Sequence, residues 1–166
     1  MSNLESNLRE DFINIHLPYR LEILMSHDIL EKTLPDNHTN RDLILKASFE
    51  DSIVFGRLLL NFLGIGIKRN NDREINRKMK TEVDDFNIEN LGLTFVNLDN
   101  KLIKENYQAI CILLKYANKT VAHCTSNFPS NGEQEQFKIA KKAIYELVIN
   151  HITEIDRSKL MWEKYK

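Results

Sequence analysis

The stretch "NKLIKENYQAICILLKYANKTVAHCT", residues 100–125, indicates the fold class most directly. Its apolar side chains recur at alternating intervals of four and three residues. This spacing places them along one side of an α-helix, as in helices that pack against other helices. The sequence therefore predicts a long helix whose buried stripe contains Ile103, Tyr107, Ile110, Leu114, Ala117 and Val121.

Three further segments have helical patterns. Pro18 suits the first turn of a helix through "PYRLEILMSHDILEKTL", because the missing N–H of proline needs no partner there. A second helix is expected to start at Asn40, a good N-cap residue, and to stop at Gly64. The last follows "SNGE", residues 130–133, which matches a capping box. We expect an all-α antiparallel four-helix bundle, with residues 1–166 as a single domain.

The composition is that of a folded domain. Hydrophobic residues make up 42% of the 166 and charged residues 28%, and the formal net charge is −1. Any affinity for nucleic acid must therefore come from a local patch. The polar start "MSNLESNLREDF" does not resemble a signal peptide, and no apolar run reaches membrane-spanning length. We expect a soluble cytoplasmic protein with reduced cysteines and no membrane partner.

The connector between the second and third helices, residues 66–98, is longer than an ordinary helix–helix link. Its part from 68 to 80 carries six basic and two acidic side chains, and we expect a short helix over about 72–80. The basic run could follow a phosphate backbone. Alternatively, it is neutralised by the acidic stretch 81–100 or bridges a dimer. The candidate RNA-binding residues of this run are Lys68, Arg69, Arg73, Arg77 and Lys78.

The closing segment of the third helix places Tyr116, Lys119, Thr120 and His123 on one helical face. A histidine beside a lysine and a tyrosine hydroxyl is a reasonable arrangement for proton transfer. Alternatively, His123 only caps the last turn by donating to free carbonyl groups.

The residues "ANKTVAH", 117–123, resemble the closing motif of HEPN domains, which are compact helical bundles found in many prokaryotic toxin, phage-defence and RNA-processing proteins. Asn118 and His123 match the asparagine and the histidine of that motif, whereas Ala117 stands where the family has a catalytic arginine. The resemblance implies a metal-independent endoribonuclease that works as a homodimer. Alanine cannot stabilise the charge of the transition state, so the resemblance implies an inactive or repurposed member at least as much as a nuclease.

Arg57, in the apolar run "VFGRLLLNF", is a candidate for the missing cation of this site. An unpaired buried charge is costly, so Arg57 should reach solvent or find a partner on another helix. The functional interpretation is that it faces the site of His123, while Lys119 is a second candidate for the same role. The structural interpretation is a salt bridge to Glu22, Asp28 or Glu105.

Metal binding is not expected. Helical bundles bind metals through Glu-x-x-His sequences or paired histidines, and neither pattern includes His16, His27, His38 or His151. We therefore expect no metal and no cofactor.

The main functional hypothesis is an RNA-directed protein of a prokaryotic defence or toxin–antitoxin type. It would be a degenerate or weak endoribonuclease, and its partner would be a cognate antitoxin or another protein. In that hypothesis His123 is the base, Asn118 organises the site, Arg57 or Lys119 supplies the cation, and Lys119 and Tyr116 contact RNA. The alternative is a non-catalytic interaction module that forms a homodimer.

Overall fold

A new helix begins at Leu17, with Pro18 in its first turn as the sequence predicts. The computed structural model describes residues 3–68, 71–78, 86–118 and 131–166. Helix α1 spans Asn3–Asp11, and helix α2 spans Leu17–Thr33. A π-helical turn, Phe12–His16, joins the two, and the N–H of Leu17 donates to the carbonyl of Phe12. Pro18 lacks an N–H, so a locally widened turn just before it accommodates the break in the hydrogen-bond ladder.

Helix α3, Arg41–Phe62, has the expected position and ends at the expected glycine. Gly64 has a φ of 79°, a left-handed conformation that favours glycine. A Cβ atom built at this position would lie 2.2 Å from the Phe95 ring. Both the backbone angle and the neighbouring ring therefore exclude a side chain. The end of α3 is fixed by this glycine and not by a side-chain cap.

The short helix expected at 72–80 is wrong, because a β-hairpin occupies this region. Strand β1, Ile65–Lys68, pairs antiparallel with strand β2, Asn71–Arg77, and Ile67 lies opposite Ile75. Alternating isoleucines in β1 and the buried Ile75 of β2 give the hairpin one apolar face. A period of two in so short a segment was obscured by its many charges.

The third predicted helix is divided in two. Helix α4, Lys101–Glu105, ends at Asn106, and helix α5 continues over Tyr107–Tyr116. The apolar stripe is buried as expected at Ile103, Ile110, Leu114 and Ala117. The break places Tyr107 at the surface, where its hydroxyl oxygen accepts a hydrogen bond at 2.9 Å from the backbone N–H of Ile75. Val121 lies outside the described residues.

The last helix, α6, covers Asn131–His151 and packs against α5, α3 and α2. Its apolar stripe is buried, and the chain after it folds back onto the core through Leu160 and Trp162. The hydroxyl of Tyr145 donates to Glu163 at 2.8 Å, which fastens this terminal segment to α6. Ser130 of the expected capping box lies outside the described residues.

The expected all-α four-helix bundle is therefore wrong. The architecture is mostly helical, but it includes a two-stranded antiparallel sheet and a divided third helix. The sheet packs against α5 and continues the apolar core beyond the helices. Among the described residues, no helix combines the length and the apolar character needed to cross a membrane.

Candidate functional site

A cavity of about 600 Å³ lies among α2, α3, α5 and α6. We call it the helix cavity, and its described lining residues belong to these four helices only. Its volume is within the range of small-molecule sites, about 300–1,000 Å³. The helix cavity is therefore a candidate for a functional site among the described residues.

Three aromatic side chains form the apolar wall of the helix cavity. Phe49, Tyr116 and Phe137 come from α3, α5 and α6, and their ring centroids lie 5.1 to 6.3 Å apart. Each pair meets at an interplanar angle between 66° and 86°, the edge-to-face arrangement that aromatic rings favour. This wall can contact a planar or bulky apolar ligand.

The Tyr116 hydroxyl lies in an acidic environment. Burial raises the pKa of Tyr116, and the charges of Glu50 and Glu133 raise it further. The phenol therefore stays protonated near neutral pH and can donate a hydrogen bond. Tyr116 can therefore offer a hydrogen-bond donor in the wall of the helix cavity.

An ion pair lies at the inner end of the helix cavity. Lys141 of α6 lines the cavity, is 1% exposed and donates through Nζ to a carboxylate oxygen of Asp28 on α2. Burial lowers the pKa of Lys141, and the charge of Asp28 acts in the opposite direction. A lysine ammonium has three N–H donors, so this group retains hydrogen-bonding capacity beside the cavity.

His27 and Glu31 of α2 form the adjacent wall. His27 Nδ1 lies 3.0 Å from the carbonyl oxygen of Leu45, which can only accept, so Nδ1 carries the hydrogen. Burial lowers the pKa of His27, and the nearby Lys141 lowers it further. Neutral His27 therefore leaves Nε2, 3.8 Å from Glu31 Oε1, as an acceptor.

Glu31 is also held by Lys138 of α6. The two side chains form an ion pair at 2.9 Å. Burial raises the pKa of Glu31, but the hydrogen bond and charge of Lys138 outweigh this effect and the net pKa is lowered. Glu31 is therefore charged and neutralised by its neighbour at neutral pH.

The sequence-predicted catalytic residues are only partly described. Asn118 is half-buried and directly precedes residues 119–130, which the structure does not describe. Tyr116 lies in the cavity wall. Lys119 and His123 lie outside the described residues. Ala117, which stands where the HEPN motif has arginine, is 3% exposed and belongs to the apolar core. An arginine at this position would have to displace core side chains.

Arg57 does not line the helix cavity. It is half-buried on α3, two turns beyond Glu50, and the two positions are separated by about 10 Å along the axis. The three expected partners of Arg57 have other contacts. Glu22 accepts from the backbone of Met161, Asp28 pairs with Lys141, and Glu105 pairs with Lys101. Among the described residues Arg57 has no ion pair.

The basic run is partly used within the fold. Lys68 pairs with Glu74 across the hairpin at 2.7 Å. Arg77 lies over the Phe95 ring, 5.3 Å from its centroid, and donates to the carbonyl of Gly64. Arg73 is exposed and Lys78 half-buried, and neither pairs with a carboxylate in the described part of the chain. Arg69 lies outside that part.

The sequence reasoning missed the cavity itself. Asp28 and Lys141 carried a signal, because each stands at an apolar spacing, four residues after Leu24 and Phe137 respectively. A charged residue on a buried stripe needs a partner on another helix. The meeting of Phe49, Tyr116 and Phe137 had no such signal, because three separate helices supply them.

Comparison with known proteins gives this site no precedent. No family model, curated protein or solved structure matches the chain. The resemblance to HEPN domains therefore stays a prediction from the short motif at 117–123.

Proposed function

We propose that this protein is a binding domain whose small-molecule ligand occupies the helix cavity. The observation that supports this proposal is the combination of an aromatic wall with charged and hydrogen-bonding groups around one cavity. Small-molecule sites typically combine apolar side chains with a few placed polar groups. This proposal differs from both hypotheses that were drawn from the sequence.

A thermal-shift screen tests this proposal. The set contains small aromatic amines, aromatic acids, amino acids and nucleosides. A ligand of the helix cavity raises the melting temperature of the wild type and does so much less in Phe49→Leu. Phe55→Leu is the matched control, because Phe55 is a half-buried phenylalanine of the same helix that packs on Tyr19 outside the cavity. A set in which every hit shifts both variants equally contradicts the proposal.

RNA binding is a second candidate function. It is supported by the exposed Arg73 on the hairpin, which lacks a carboxylate partner within the described residues. Such a contact predicts single-stranded RNA binding that weakens steeply with salt and is reduced in Arg73→Gln. Fluorescence anisotropy measures this affinity, with Lys142→Gln as the control on another surface. A defence or toxin–antitoxin role would follow only from RNA binding or cleavage.

Ribonuclease activity requires a separate test. The hypothesis predicts metal-independent cleavage of a mixed single-stranded RNA by the wild type and loss of cleavage in His123→Ala. Equal activity in the two proteins, or no activity in either, contradicts a catalytic role for His123.

A homodimer is proposed on the resemblance and on the exposed apolar side chains of α2 and α3. Tyr19 and Leu58 are 56% and 46% exposed. Burial of this surface between two copies predicts a dimer at micromolar concentration that dissociates in Leu58→Glu. Analytical ultracentrifugation distinguishes this result from a wild-type monomer.

A further inference from the structure

Some of the charged side chains that line the helix cavity, both positive and negative, form no ion pair with a described residue. Of the charged side chains that line it, Lys138 and Glu31 neutralise each other, and Lys141 is neutralised by Asp28. The rest are Lys46, Glu50 and Glu135, and none of these forms an ion pair with a described residue. The lining therefore offers an opposite charge to each end of a ligand that carries both a cation and an anion.

Two of the unbalanced groups are close together on α3. Lys46 and Glu50 are four residues apart, which places their Cβ atoms about 5–6 Å from each other on one helix face. Phe49 lies on the same face and belongs to the aromatic wall. The helix therefore presents a cation, an anion and an aromatic ring side by side at one cavity.

This arrangement matches a molecule whose two opposite charges are carried on neighbouring atoms. In an α-amino acid the ammonium and the carboxylate share one carbon, so the carboxylate can approach Lys46 while the ammonium approaches Glu50. The side chain of the amino acid then extends towards Phe49, Tyr116 and Phe137. Charge-assisted hydrogen bonds at the head and apolar contact at the side chain would both stabilise the complex.

We propose that the helix cavity binds a free α-amino acid with a large apolar or aromatic side chain. This inference rests on the proposed function as a binding domain. Lys46 and Glu50 hold the head group, and the three aromatic residues hold the side chain.

Isothermal titration calorimetry tests the inference with matched probes. L-phenylalanine, L-tyrosine, L-tryptophan and L-leucine are the candidate ligands. Phenethylamine lacks the carboxylate, 3-phenylpropionate lacks the ammonium, and L-alanine lacks the large side chain. At least one candidate ligand is expected to bind, and each of the three probes at least 10-fold more weakly. If phenethylamine or 3-phenylpropionate binds within threefold of the best amino acid, the zwitterion is not what the site recognises. If none of the four candidates binds, the inference is also overturned.

Two conservative variants test the head-group assignment. Lys46 and Glu50 are exposed, so Lys46→Gln and Glu50→Gln change the charge without disturbing the core. Each should weaken amino-acid binding at least 10-fold, and Asp51→Asn on the same helix should not. Lys46→Gln should also strengthen phenethylamine binding relative to the amino acid, and Glu50→Gln should do the same for 3-phenylpropionate. Unchanged affinity in both glutamine variants excludes this placement.

Different results would overturn the cavity as a binding site and the amino acid as its ligand. Suppose that a compound of another chemical class raises the melting temperature of the wild type and that Phe49→Leu loses this shift. The cavity is then supported as a binding site, and only the amino acid is rejected as its ligand. Absence of any cavity ligand removes both.

Discussion

Lys141 and Asp28 form an ion pair in the interior that connects α6 to α2, with side chains only 1% and 6% exposed. Each group is stable there because the other compensates its charge. The pair also lies behind the helix cavity, which Lys141 lines. Lys141 therefore belongs both to the buried interior and to the wall of the candidate site.

Removal of one member of this pair should be far more damaging than removal of both. Lys141→Met leaves the carboxylate of Asp28 buried without compensation, so the free energy of unfolding should fall by about 3–5 kcal/mol. The double variant Asp28→Val/Lys141→Met should recover most of that loss. Urea denaturation of the two single variants and the double variant measures the coupling. Additive losses would show that the two charges do not depend on each other.

His27 should make the protein less stable in mild acid. Its pKa is lowered in the folded state, by burial first and by Lys141 second, although Glu31 and Asp28 act in the opposite direction. The unfolded chain therefore binds more protons than the folded one below about pH 6.5, and stability falls as the pH decreases through this window by at most about 1.4 kcal/mol per pH unit. His27→Gln should reduce this slope between pH 7.5 and 5.5, as measured by urea denaturation. The exposed His38 provides the control variant His38→Gln. An unchanged slope in His27→Gln would assign the acid sensitivity to other groups.

A comparison of Gly64 and Gly92 separates the cost of a strained backbone from the cost of a steric clash. Their φ angles are 79° and 75°, so alanine is strained at both by about 1–2 kcal/mol. Only the Cβ at position 64 would collide with another side chain, that of Phe95. Gly64→Ala should therefore lower the melting temperature more than Gly92→Ala does. Equal effects would mean that the ring of Phe95 moves aside freely.

Cys111 should be unreactive in the folded protein. Burial raises its pKa to about 11, and only the thiolate reacts with disulfide reagents. In a Cys124→Ser background at pH 8, the reaction of Cys111 with a disulfide reagent should be about 100-fold slower in buffer than in denaturing urea. Similar rates in the two conditions would indicate frequent opening of α5.

The sequence predicted the helices whose apolar stripes are regular. The end of α3 at Gly64 and the buried residues Ile110 and Leu114 are confirmed. The hairpin was missed because the isoleucines at 65, 67 and 75 are interrupted by charged and amide residues, which hide a period of two. The break at Asn106 was missed because the spacing of apolar residues continues across it.

The candidate site was much less predictable than the helices. Tyr116 lines the helix cavity, and its expected role as an RNA contact stays a prediction. Arg57 and the cavity are on different parts of α3. The wall itself depends on which faces of three helices meet, and sequence spacing within each helix does not determine that meeting.

The most direct test of the central claim is to map where a ligand binds. Two-dimensional NMR spectra of the protein should be recorded during titration with the strongest hit of the thermal-shift screen. The account predicts saturable chemical-shift changes centred on the backbone amides of 45–50 and 134–141, with little change in the β-hairpin. Changes confined to the hairpin, or absent from both cavity segments, would contradict a binding function for the helix cavity.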